Sequence, residues 1–237
     1  MDNVTPGYAL SGMPEAATDF IQSIERPTTL TAMAGNAEPF KDDPTVYNAI
    51  KAGHEALLQG ASKIKALTGD QTRNEPQKHE AGGEVSAKTV ATLEQSQRIL
   101  AAQANAYQAG GDAALKEAFA IKDGDKWLCD HWLSFVGREA KNQDGGFANI
   151  RKAATTHREL AAVLMKMPGE LLGLPADFLQ TVRVKAVERF HPEIQEAWQR
   201  AEDLRDVAGK FTSLVGRTKL NFHSPLIARK MATRVDV

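Results

Sequence analysis

Apolar positions along this chain recur at steps of three and four and almost nowhere alternate one by one. Val46, Ile50, Leu57, Ala61, Ile64 and Leu67 share one face of a helix that Asp43 can cap and Pro44 can open. Val90, Leu93, Leu100, Ala104 and Tyr107 mark a second helix, expected to end at Gly110-Gly111, with a short helix following around Leu115, Ala118 and Phe119. Phe147, Ile150, Ala154, His157, Ala161 and Leu164 predict one long helix over 147–167 with His157 on its apolar seam. Phe178, Val182, Ala186 and Phe190 predict another. After a corner at His191-Pro192, Ile194, Trp198, Ala201, Leu204, Ala208, Phe211 and Val215 continue the period for about six turns. Strand alternation with hairpin turns is nearly absent, so the expected fold class is all-α, six or seven helices in an irregular antiparallel bundle.

The pattern lapses in three places. Residues 1–44 hold five of the ten prolines, and proline removes a backbone donor and blocks helix interiors, so this segment is expected to be an extended arm. Residues 69–84 contain Pro76 and Gly82-Gly83 among polar residues and read as a flexible loop. Residues 217–237 lose the helical period and read as a second extended arm. The organisation expected is an arm over 1–44, a helical domain over 45–216 and a C-terminal arm over 217–237.

Composition adds an electrical asymmetry. The net charge of −1 conceals seven acids against two bases over residues 1–45, and five bases against Asp236 over residues 217–237. The ends are complementary in sign. A single cysteine rules out an internal disulfide and favours a reducing compartment, and no apolar run approaches the roughly 18 residues of a membrane span. The N-terminus lacks the basic start and apolar block of a cleaved export signal, so the expectation is a cytoplasmic or particle-assembled protein, with non-classical secretion as the other route.

Chemistry is sparse. The stretch from Asp123 to Gly137 holds Cys129, Trp127, Trp132 and His131. On a helical wheel of about 100° per residue, Cys129, Trp132 and Phe135 fall in the apolar arc, while Trp127 and His131 point away. His131 lies about 160° from Cys129, so no local Cys-His pair forms and the thiol reads as core. Asp123-Gly124-Asp125 begins like a calcium loop, but Leu128 and Ser134 replace its glycine and glutamate, and Asp125 reads better as a helix cap. No two of the six histidines have the spacing of a zinc-protease motif, Gly209-Lys210 lacks the rest of a phosphate-binding loop, and no metal or cofactor site is expected.

The functional expectation is therefore a non-enzymatic structural or adaptor subunit of a larger assembly, a virion or phage particle by analogy, forming homo-oligomers or hetero-assemblies. Its candidate partner contacts are Trp127, an apolar ring on a polar face, and Arg217, Lys219, Arg229, Lys230 and Arg234 of the basic tail. Nucleic acid is a weaker reading of that tail, which has few charges and only Phe222 among aromatics. The alternative is a bacterial secreted effector whose weakly structured ends serve export and whose helices bind a host protein.

Overall fold

The computed structural model describes residues 7–122, 124 and 126–232, with side chains for all of these except Lys126, Met231 and Ala232. Every regular element among the described residues is helical. In chain order these are α1 (Glu15–Glu25), α2 (Pro27–Ala34), a 3-10 turn (Glu38–Phe40), α3 (Pro44–Gly69), α4 (Glu75–Ala118), α5 (Lys126–Glu139), α6 (Gly146–Ala154), α7 (Arg158–Lys166), α8 (Gly169–Leu172), α9 (Ala176–Phe190), α10 (Pro192–Asn221) and α11 (Pro225–Ala232). The all-α expectation holds, and the helices are more numerous than six or seven.

Proline explains most of the difference in number. All nine prolines among the described residues stand at the N-cap or in the first turn of a helix or of the 3-10 turn, where a missing N–H removes no hydrogen bond. At Arg26 (φ −92, ψ 113) and Asp43 (φ −113, ψ 93) the following proline also holds the residue out of the α region. Prolines that read as breakers over 1–44 therefore punctuate short helices instead of preventing them. The extended-arm reading is corrected accordingly: Ala17, Phe20, Ile21 and Ile24 of α1 and Leu30 and Ala34 of α2 are buried, and α1 packs on α2 and α3.

The loop expected over 69–84 shrinks to its first residues, because α4 starts at Glu75 and runs through both glycine pairs. A Cβ on Gly82 would stand 2.7 Å from the Leu10 side chain, and one on Gly111 would stand 2.7 Å from the Trp198 indole nitrogen. Glycine weakens a helix interior by about 1 kcal/mol relative to alanine, and here close approach of other groups offsets that weakness. The C-terminal arm is corrected in the same way. Val207, Phe211, Leu214, Thr218 and Phe222 continue one buried seam, interrupted to the eye only by the polar Thr218. α10 extends to Asn221 for that reason.

The helix expected over 147–167 is two. Thr155 and Thr156 turn their hydroxyls back onto the carbonyls of Arg151 and Lys152, α6 ends, and His157 occupies the N-cap position of α7. His157 is exposed, not a seam residue, and its ring lies 4.9 Å from that of Trp132.

The chain divides into two compact units, one formed by the chain up to Ala104 together with Asp203 onward, the other by Asn105–Glu202. In the first, α3 carries two glycines that receive rings: a Cβ on Gly53 would lie 2.1 Å from Phe211, and one on Gly60 would lie 2.6 Å from Phe222. Phe222 also stands 6.1 Å from Phe20 of α1. In the second, Val136, Ile150, Leu160, Leu164, Leu172, Leu179 and Val182 form one cluster, and Phe119, Ala161, Ala186, Val187 and Ile194 another. Arg183 closes the end of α7 there, donating from Nε to Leu164 O at 2.8 Å and from Nη2 to Met167 O at 2.9 Å.

Candidate functional site

The first unit carries a cleft of about 720 Å³ lined by the start of α4 (including Gln77, His79, Glu80 and Gly83) and by the corner and first turns of α11 (including His223 and Arg229). That volume is within the range of small-ligand sites. Its α4 wall is fixed by a reciprocal cap in which Asn74 Oδ1 accepts from the Gln77 N–H at 3.0 Å and Gln77 Oε1 accepts from the Asn74 N–H at 3.1 Å. The α11 wall starts at Pro225, behind Ser224, whose hydroxyl accepts from the Ile227 N–H at 3.4 Å.

Two histidines far apart in sequence meet beside this cleft. His79 is fully buried, and its Nε2 lies 2.9 Å from the carbonyl oxygen of Ser11. A carbonyl only accepts, so Nε2 carries the proton and Nδ1 of the neutral ring is a lone pair. That Nδ1 is buried with no hydrogen-bond partner, and so is Nδ1 of His223. The His223 ring lies across Gly83, where a Cβ would come within 3.3 Å of it. Burial first, and the neighbouring His79 second, hold the His223 imidazole below its ordinary value. Two imidazoles whose buried Nδ1 atoms meet neither carboxylate nor hydroxyl are built for packing more than for proton relay. Among the described residues, no three His, Cys, Asp or Glu side chains are grouped to hold a metal ion.

The residues singled out in the sequence are distributed differently. Trp127, at the start of α5, is 68% exposed, and His131 is exposed with it, as the helical wheel places them. Trp132 and Phe135 are only partly buried against the α5–α9 cluster and Cys129 is half-buried, so these three, read as core, lie at its edge, and Val136 is the fully buried residue of α5 in that cluster. Arg217 and Lys219 are engaged within their own chain. The Arg217 guanidinium sits over the Phe20 ring at 4.5 Å and donates to Met33 Sδ at 3.2 Å, while Lys219 Nζ pairs with Glu94 at 3.1 Å. Arg229 lines the cleft and Lys230 is exposed on α11. Arg234 and Asp125 lie outside the described residues. Within the chain, Arg217 and Phe222 near the C-terminal end both contact Phe20 of α1, and Arg217 also contacts the sulfur of Met33.

Sequence spacing could not reveal the His79–His223 pair, because tertiary contact alone joins them. The available signal was Gly82-Gly83 one turn after His79, a glycine pair whose place inside a helix requires something to sit on it. Among the described residues no helix is long and apolar enough to cross a membrane. Comparison with protein-family models, curated proteins and solved structures returned no match.

Proposed function

We propose that the chain is a non-enzymatic protein-contact subunit of a larger assembly, its contacts made by the helical surface. The observation that carries this reading is Trp127, a large apolar ring 68% exposed at the start of α5. Single exposed leucines are ordinary on a protein surface, but tryptophan contributes strongly to binding when it is desolvated at the centre of an interface. Leu171, exposed on α8, and Leu220 and Leu226, exposed on either side of the corner between α10 and α11, add apolar surface in each unit. A virion or comparable particle is the setting by analogy alone. The route differs from exchange of extended arms, since residues 15–34 fold onto α3 of the same chain. The same helices leave residues 15–34 folded, whereas the secreted-effector alternative drew on weakly structured ends together with a host-protein-binding helical body.

The test is the mass of the protein in solution as a function of concentration, for the native chain and for Trp127→Ala. The reading expects self-association that Trp127→Ala weakens at least about tenfold with unchanged helical content, the scale of an interface anchor. A native chain that stays monomeric to its solubility limit, or associates identically without the indole, would refute Trp127 as the contact.

A further inference from the structure

Five contacts converge on one turn of α4, residues 79–83. The Ser11 carbonyl accepts from His79, the Leu10 side chain covers Gly82, and the Phe222 carbonyl and His223 Cβ approach the same glycine, where a Cβ would find them at 3.3 and 3.4 Å. The His223 ring then crosses Gly83. Gly82 and Gly83 give the turn a surface without side chains, and Leu10-Ser11 and Phe222-His223, the second pair leading into α11, rest on it together.

We propose that His79 and His223 form an acid-sensitive latch that holds residues 7–14 and α11 on α4 near neutral pH and releases both on acidification. The geometry supplies the reason. Nε2 of His79 is committed to Ser11, and its other nitrogen, Nδ1, is buried without a partner next to the second imidazole. A proton on His223 places charge against the same neighbour, and a buried Nδ1 there has no acceptor. The charged side chains lining the cleft beside the pair are Glu80 from α4 and Arg229 from α11, of opposite sign, and the one titratable side chain of residues 7–14 is Tyr8, whose ring lies 4.3 Å from Lys65 Nζ. The depressed His223 value fixes the sign. The unfolded chain takes up the proton more readily than the folded one, so the contribution is complete above the ordinary imidazole value of 6.5 and is lost as pH falls below it, levelling off beneath the depressed value. α11 is eight residues long with Leu226 exposed, too short to persist once lifted from α4. Release would bare the Gly82-Gly83 saddle and the underside of Leu10, an apolar surface available only in acid.

Amide hydrogen exchange on the full chain, corrected for the intrinsic effect of pH, tests this. The probes are the Met13 amide, bonded to Leu10 O at 3.1 Å, and the Ala228 amide, bonded to Ser224 O at 3.0 Å, with the amides of Val182 and Ala186 in α9, a helix without histidine, as the reference. Between about pH 7.5 and pH 5, protection at both probes is expected to fall at least roughly tenfold while α9 is unchanged. In His223→Gln that loss should disappear. His79→Gln, whose amide can still donate to Ser11, gives the same comparison where the first variant disturbs folding. Constant protection of the probes in the native chain, an equal acid loss in both variants, or a uniform loss that includes α9 would each overturn the latch. His54→Gln serves as a control, because that imidazole, also lowered mainly by burial, is bonded to Gly35 O and should leave the acid loss at the two probes in place.

Discussion

Gly53 and Gly209 both lie inside helices, and their surroundings give the same substitution opposite signs. An alanine Cβ at Gly53 would fall 2.1 Å from Cε1 and 2.6 Å from Cζ of Phe211, a ring that is itself fully buried, whereas nothing lies within 4 Å of a Cβ at Gly209. Replacing an interior glycine by alanine favours a helix by about 0.8–1.0 kcal/mol, while forcing extra volume into a packed core opposes folding by about 1–3 kcal/mol. At Gly53 the clash prevails because the ring cannot retreat. Gly53→Ala is expected to lower the denaturation midpoint and Gly209→Ala to raise it, both read by urea titration of helical signal. A Gly53→Ala protein as stable as Gly209→Ala would show that the Phe211 seat has room. The pattern of residues makes α3 a helix, but it does not distinguish a glycine that receives a ring from one that faces water.

At the scale of the element, helix starts were more legible than helix ends. Asp43 and Pro44 predict the start of α3, and the structure places the Asp43 carboxylate 3.1 Å from the Thr45 N–H and 3.2 Å from the Val46 N–H. Asp43→Ala should reduce stability by about 1 kcal/mol, measured as a shift in the denaturant midpoint with unchanged slope. An unchanged midpoint would mean that the first turn of α3 is held by its packing alone. Stops were harder to read for two opposite reasons. Gly82-Gly83 and Gly110-Gly111 suggested termination, yet α4 passes through both. Over 147–167 the apolar period was continuous, yet Thr155 and Thr156 supply competing local hydrogen bonds and the helix breaks. Propensity and period are local, and a glycine in contact with another segment or a threonine bonding backward can overrule either.

For the whole molecule, the segment read as a C-terminal arm is part of the core. Phe222 is fully buried, faces Phe20 of α1 and fills the space above Gly60 of α3. Phe222→Ala should therefore reduce stability by about 3–5 kcal/mol, seen as a lower thermal or urea midpoint, where an extended arm would tolerate the change with little effect. A variant of native stability would restore the arm. The all-α class, the absence of strand pattern, the capped start of α3, the corner before α10 and the outward direction of Trp127 all follow from the sequence by itself, because each depends on steps of three and four or on the stereochemistry of one or two neighbouring residues. Tertiary structure alone decided that the prolines of the N-terminal segment begin helices whose apolar faces find α3, that Arg217 rests on Phe20, and that His79 and His223 meet on a glycine turn. These depend on which surfaces come to cover one another across long separations in the chain, and burial against a distant segment leaves no periodic trace in either partner.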